Sequence, residues 1–234
     1  MHRDDVAALF DRHAPDYDTQ WKRMLPVRDA LYFLTEAALA PLPTNAHVLS
    51  VGAGTGAELA FLAASFPQWQ FTAVDPSRAM IDLCRQRAEA EGFASRCTFH
   101  HGFLESLATD TQFDGATCLL VSQFLVDPTA RQALFRDIAV RMRPDGVLIN
   151  ADLAAHTDQR SYTTLLTIWL DRMNRAGVPP EAVARATAAY ATDVAVLPPE
   201  GVAQMIAEAG FDTPTPLFQA ALMHAWCATR LGVV

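Results

Sequence analysis

Val48-Leu49-Ser50-Val51-Gly52-Ala53-Gly54-Thr55-Gly56-Ala57-Glu58-Leu59 decides how the chain is read. An apolar run breaks into three glycines at alternate positions and then resumes with helix formers. That order predicts a buried strand, a tight turn and a helix start. Without a Cβ, Gly52 and Gly54 let the backbone turn sharply and let a ligand come close to it. The helix that follows offers unpaired N–H groups in its first turn, which suit a polar ligand. The stretch reads as the binding loop of a nucleotide-type cofactor.

The flanking segments keep the same rhythm. Residues 70–75 predict a second strand ending on Asp75, about 20 residues after the last loop glycine, where an acid accepts hydrogen bonds from ribose hydroxyls. Pro76 and Ser77 follow, with Ser77 as the N-cap of a helix over 77–91 that carries Met80, Ile81, Leu83 and Cys84 and closes on Gly92. Strands over 97–100, 113–121 and 147–152 and a helix over 129–142 continue the alternation. Arg143-Pro144-Asp145-Gly146 reads as a turn between the last helix and strand of this run. Alternating strands and helices predict a parallel sheet with helices on both faces and ligand-binding loops along one edge.

The two ends of the chain read differently. Helices over 4–13 and 27–40, with Pro15, Tyr17 and Trp21 between them, make segment 1–44 an N-terminal helical lid over the glycine loop. Segment 45–152 is the cofactor-binding α/β core. Segment 153–197, with helices expected over 161–176 and 180–191, is too long for a simple crossover and reads as a helical insertion over the active site. Segment 198–234 supplies a last helix over 199–209 and a terminal hairpin with strands near 213–219 and 221–230.

Composition narrows the function. A chain of 234 residues with 51% hydrophobic and 19% charged residues suits one soluble α/β domain. A net charge of −8 disfavours a nucleic-acid partner, because neutralising phosphates needs a basic surface. No apolar run approaches a membrane span, and Met1-His2-Arg3-Asp4-Asp5 has no signal-peptide core, so a cytoplasmic protein without membrane attachment is expected, as a monomer or homodimer. Cys84, Cys97, Cys118 and Cys227 are scattered and read as reduced core residues. No histidine–carboxylate cluster has metal spacing, so no metal is expected.

Together these motifs resemble the class I S-adenosylmethionine-dependent methyltransferases. The carrying residues are Val51-Gly52-Ala53-Gly54-Thr55-Gly56, Asp75, His101-Gly102-Phe103-Leu104, Ser122-Gln123-Phe124, and the turn Met142-Arg143-Pro144-Asp145-Gly146. A dinucleotide-binding fold fits less well: it wants G-x-G-x-x-G, and Ala57 stands where its last glycine belongs. The resemblance implies a Rossmann-like seven-stranded methyltransferase sheet with an antiparallel terminal hairpin. It implies S-adenosyl-L-methionine as cofactor, S-adenosyl-L-homocysteine as product, and a small-molecule acceptor methylated at oxygen or nitrogen. The backbone of Gly52, Ala53, Gly54 and Gly56 would carry the amino-acid end, with Tyr17 reaching its carboxylate. Asp75 and Pro76 would hold the ribose. Met80, Gly102, Phe103 and Leu104 would flank the adenine, and Ser122 and Gln123 would floor the methionine moiety. Many relatives carry an acid where Phe103 stands. The tail Phe218-Gln219-Ala220-Ala221-Leu222-Met223-His224-Ala225-Trp226 is similar to a subgroup that includes carboxy-S-adenosylmethionine synthase, a tRNA-modification enzyme. The arginine that holds the extra carboxylate there has no match in 186–199, and Arg185 is the nearest.

The methyl donor carries its own reactivity, so the protein must chiefly position the acceptor and exclude water. Asp152 and His156, near the end of the fifth strand, are the candidate catalytic residues. Trp21, Phe124, Tyr162, Trp169 and Phe218 are expected to wall an apolar acceptor pocket. A non-catalytic cofactor-binding regulator would carry the same loop and the same Asp75.

Overall fold

The structure, a computed structural model, describes residues 3–173, 181, 184–185, 188 and 192–232. Seven strands form one sheet in the order β3-β2-β1-β4-β5-β7-β6. They are β1 (His47–Val51), β2 (Gln70–Asp75), β3 (Cys97–His101), β4 (Phe113–Leu119), β5 (Met142–Leu153), β6 (Thr215–Ala220) and β7 (Met223–Thr229). The first five run parallel, and β7 enters antiparallel between β5 and β6. The helices are α1 (Arg3–His13), α2 (Tyr17–Trp21), α3 (Leu25–Leu39), α4 (Ala57–Ser65), α5 (Arg78–Ala90), α6 (Pro128–Arg141), α7 (Arg160–Met173) and α8 (Pro199–Glu208). The expected helix over 180–191 falls largely outside the described residues.

Strand periodicity sorts the core into two layers. Leu49, Val51, Ala116, Cys118 and Leu148 face α6 and α8, where Phe135, Ile138, Val202 and Ile206 meet them. Val48, Phe71, Ala73 and Ile149 face the opposite way, onto Leu39 of α3, Leu59 and Leu62 of α4, and Ile81 and Cys84 of α5. A third cluster at the loop end joins Met24 and Leu31 to Tyr162, Leu166 and Trp169 of α7 and to Met223 and Ala225 of β7.

One expectation is corrected. Residues 143–146 do not form a free turn before β5; the strand begins at Met142 and carries them as an irregularity. Phe113 pairs with Met142 but Gly115 pairs with Val147. Asp145 takes a left-handed φ of 64°. Its N–H donates to the Arg230 carbonyl at 2.9 Å, and the Arg230 N–H donates to the Gly146 carbonyl at 2.8 Å. Those two bonds tie the excursion to the end of β7, a partner that local sequence cannot reveal.

Gly56 shows why the loop needs glycine. It starts α4 at φ +77°, and a Cβ there would lie 2.7 Å from Sγ and 3.2 Å from Cα of Cys84 on α5. Gly56→Ala should therefore lower unfolding stability by about 1–3 kcal/mol, from left-handed strain plus overpacking between α4 and α5. Urea denaturation followed by circular dichroism checks it; an unchanged midpoint would refute the packing role.

Candidate cofactor and active site

The parallel strands deliver their C-terminal loops to one edge, and these loops line a cleft with about 1070 Å³ of empty space, part of it open solvent. Gly52 and Gly54 come from the loop after β1; Asp75, Pro76 and Met80 from the end of β2 and the start of α5; Gly102, Phe103 and Leu104 from the loop after β3. Leu119, Leu120, Val121 and Phe124 follow β4, and Val6, Phe10 and Tyr17 of the N-terminal segment close the other side. The loop's closeness is steric: a Cβ on Gly52 would sit 2.4 Å from a Val121 methyl, whereas one on Gly54 would meet nothing within 4 Å.

Asp75 is the polar centre. Its Oδ2 accepts the Gly54 N–H at 2.8 Å, and its Oδ1 accepts the Ser77 N–H at 2.8 Å. Each carboxylate oxygen keeps acceptor capacity for one more donor. The pair is thus presented to the cavity as two acceptors side by side, matched to a vicinal diol. Burial pushes this carboxyl up to about 6, with the Ser77 and Gly54 N–H groups partly offsetting it. Met80, Phe103, Leu104, Phe124 and Leu134 give part of the cavity an apolar lining suited to a flat ring, with Glu105 and Asp137 also on its wall.

Several loop N–H groups are already engaged. Those of Gly52 and Ala53 donate to the Val74 carbonyl at 2.8 and 3.0 Å, and that of Gly56 donates to the Ala53 carbonyl at 3.0 Å. The donors left by helix geometry are those in the first turn of α4, whose N-cap Gly56 offers no side-chain cap. An anionic ligand group fits there.

A second, smaller cavity lies beyond the glycine loop. It shares Tyr17, Gly52, Gly54, Leu119 and Leu120 with the first, and adds Trp21, Arg28, Tyr32, Ala53 and Glu58. Leu120, at the junction, holds a left-handed φ of 60°, fixed by its N–H to the Ala151 carbonyl at 2.7 Å. Such strain in a residue with a Cβ persists only where its surroundings enforce it.

The N-terminal segment is clasped over both cavities. Asp11 Oδ1 accepts from the Ser77 hydroxyl at 2.6 Å and the Ala79 N–H at 3.0 Å, and the Ser77 bond draws its carboxyl below the usual range. Asp18 accepts from the Thr55 hydroxyl at 2.7 Å and pairs with Arg87 at 2.5 Å. Phe10 stands edge-on to Phe124 with ring centres 5.2 Å apart. None of Asp11, Asp18, Arg87, Arg28, Tyr32 or Glu58 is singled out by motif. Glu58 carried a usable signal, because a lone acid in Ala57-Glu58-Leu59-Ala60-Phe61-Leu62 interrupts an otherwise apolar helix.

Other expected residues lie elsewhere. Asp152 is fully buried and lines neither cavity. It pairs with Arg131 at 3.1 Å and accepts from the Ser122 hydroxyl at 2.6 Å and from Asn150 at 3.0 Å. Ser122 and Gln123 are likewise buried behind the floor. Ser122 accepts from Arg131 Nε at 2.9 Å, and the Gln123 side-chain oxygen accepts the Leu153 N–H at 3.0 Å. The residues that reach the cavity from this loop are their neighbours Val121 and Phe124. His156 sits 3.4 Å from Glu200, outside both cavities. Of the aromatic set, Trp21 lines the second cavity and Phe124 the first. Tyr162 and Trp169 are core, the latter edge-on to Trp21 at 6.2 Å, and Phe218 packs beside them. Gly56 spaces α4 from α5 and lines neither cavity.

Comparison with known proteins agrees with this geometry. Residues 48–146 match a methyltransferase domain family. Carboxy-S-adenosyl-L-methionine synthase of Campylobacter jejuni is 26% identical over 174 residues, covering 72% of this chain and 71% of that protein. An uncharacterized Synechococcus protein is 29% identical over 155 residues, 61% of this chain; the match spans only 35% of the relative's length. In structure, an O-methyltransferase family protein from Burkholderia thailandensis superposes with a TM-score of 0.67 at 14% identity, over 98% of this chain and 61% of that one. Over residues 48–146 the chain is similar to methyltransferase domains, in line with the class I S-adenosylmethionine-dependent enzymes that its motifs resemble. The residues present fit that cofactor: a diol acceptor, an apolar ring slot and an uncapped helix start adjoin in one cleft.

Asp75→Asn should weaken S-adenosylhomocysteine binding by about 1–3 kcal/mol in calorimetry, since it loses a charged acceptor. Wild-type affinity should fall as pH drops below about 6, where the carboxyl takes up a proton. Equal affinity for the variant would exclude Asp75 as the ribose ligand. Asp152→Asn should instead lower folding stability by about 3–5 kcal/mol, because it leaves the buried Arg131 charge without its counter-ion. His156→Ala should leave both stability and cofactor affinity near wild type, measured by the same denaturation and calorimetry.

Proposed function

We propose that this protein transfers the methyl group of S-adenosylmethionine to a small-molecule acceptor at oxygen or nitrogen. The observation that carries the reading is the pair of Asp75 oxygens set beside the glycine loop, in a cleft that continues past Leu120 into a second cavity. When bound, the cofactor supplies a methyl group on a sulfonium, which leaves by in-line displacement. The chain's own residues supply binding, alignment and dryness. Asp75 takes the ribose hydroxyls, the apolar slot takes the ring, and the first turn of α4 faces the carboxylate. Tyr17 and Phe10, fixed by the Asp11 and Asp18 clasps, cover the cleft and keep water out.

An acceptor of small size is supported by this cover, and the net charge of −8 argues against an RNA acceptor. Among the described residues no helix is long and apolar enough to cross a membrane. Synthesis of a carboxylated cofactor for tRNA modification is the second reading, favoured by the alignment over 71% of the Campylobacter protein.

Mass spectrometry of the ligand that co-purifies with the protein separates the two: S-adenosylmethionine or S-adenosylhomocysteine supports methyl transfer, and a carboxylated sulfonium supports the second. Absence of calorimetric binding of either unmodified ligand by folded protein would refute the first reading.

A further inference from the structure

Glu58 presents an anomaly. It lies on α4 and lines the second cavity, with only 9% of its surface exposed. No cation pairs with it among the described residues, and its Oε1 has no hydrogen-bond partner there. Among the described residues the Thr35 hydroxyl of α3 and the Ser50 hydroxyl of β1 are also buried without a partner, and the Thr117 hydroxyl of β4 has none besides Glu58. Ser50 and Thr117 are register partners on adjacent strands. Both lie on the sheet face covered by α3 and α4, since a Cβ on Gly115 would meet Leu39 and Leu42 and Val48 shares a core with Leu39. Thr117 favours the charged form of Glu58 as a neutral hydrogen-bond partner, while Oε1 keeps no partner and no cation reaches the carboxylate among the described residues. Leaving such groups bare is unfavourable, most of all when they are charged.

We propose that the second cavity is an ammonium-binding site in which Glu58 is the counter-charge. The lining favours an organic cation over a metal ion. A hard metal ion wants six or more oxygen ligands, and one carboxylate among aromatic and aliphatic side chains does not supply them. Tyr17, Trp21 and Tyr32 line the same space, and aromatic faces attract alkylammonium groups. Among the described residues Arg28 is the one cation on the lining; it pairs with Asp29 at 2.9 Å, lies 5.4 Å from the Tyr32 ring centre and makes no bond to Glu58. A ligand joining an ammonium to a carboxylate therefore meets Glu58 and a separate cation.

Two sources carry this chemistry. One is the amino-acid end of the cofactor, which rests on the proposed function. The other is an amine acceptor, whose ammonium would first hand one proton to Glu58, freeing the nitrogen lone pair to take the methyl group as the sulfur keeps the electrons of its broken bond. Burial pushes the Glu58 carboxyl up to about 7, so its charge changes near neutrality. The titratable or charged groups around it are Tyr17, Asp18, Arg28 and Tyr32 on the cavity lining, with Cys84 of α5 and Cys118 of β4 behind.

Binding of S-adenosylhomocysteine, 5′-methylthioadenosine, phenethylamine and its neutral counterpart 2-phenylethanol to wild type and Glu58→Gln tests the proposal by calorimetry. At pH 8 the variant should bind S-adenosylhomocysteine or phenethylamine about tenfold or more weakly, with methylthioadenosine and phenylethanol unchanged. A loss confined to S-adenosylhomocysteine assigns the site to the cofactor's amino-acid end, and a loss confined to phenethylamine assigns it to the acceptor. Wild-type affinity for the ammonium ligand should fall about tenfold from pH 8 to pH 6 relative to its uncharged control, and this series decides the matter even if the variant misfolds. Unchanged binding of both ammonium ligands by Glu58→Gln, or a flat pH profile relative to the controls, overturns the proposal. Failure of wild type to bind either nucleoside refutes the cofactor assignment instead, and leaves the amine arm to test the site.

Discussion

The carboxylate of Asp75 holds the ligand edge together. One oxygen takes the Gly54 N–H and the other the Ser77 N–H, so a single side chain ties the loop after β1 to the turn after β2. Strands β1 and β2 are neighbours throughout their length, and this knot continues their pairing into the irregular backbone beyond them. Burying a carboxylate is unfavourable unless its lone pairs find donors. Here two backbone amides meet part of that need, and the remaining acceptor capacity faces the cavity. The site is thus built from a group that the fold satisfies only in part.

The N-terminal segment depends on the same knot. Ser77 donates its N–H to Asp75, accepts the Met80 N–H as the cap of α5, and donates its hydroxyl to Asp11. Cover, helix start and cavity-facing carboxylate therefore share one residue. Asp18, through Thr55 and Arg87, attaches the cover a second time to the far side of the glycine loop. The exposed part of the Asp18 pair contributes little stability by itself. Its value is positional, since it sets Tyr17 at the junction of the two cavities.

Much of this was readable along the chain. Three glycines at alternate positions, Asp75 about 20 residues on, and the strand–helix alternation require only local backbone geometry and periodicity, so the core and the acid at the end of β2 could be placed without coordinates. Asp152 and Ser122 misled for a physical reason. A polar residue at the end of a strand looks alike in sequence whether it turns toward a ligand or into the core, and here Arg131, from a helix later in the chain than Ser122 and earlier than Asp152, draws both inward. Tyr162 and Trp169 show the same ambiguity for aromatics: at helical spacing they face the nearest apolar surface, which is the third core cluster.

The sequence by itself determined the α/β order, the glycine turn and the acid at the end of β2, because each is set by residues near one another in the chain and by backbone conformations that few residues adopt. Only the tertiary structure decided which polar groups face the cleft and which are consumed by the core. That choice rests on pairings between distant segments: Asp11 with Ser77, Asp18 with Arg87, Asp152 with Arg131, and Arg230 with the excursion at Asp145. It also isolated Glu58, an acid whose lack of a counter-ion among the described residues is visible only when the neighbours around it are known.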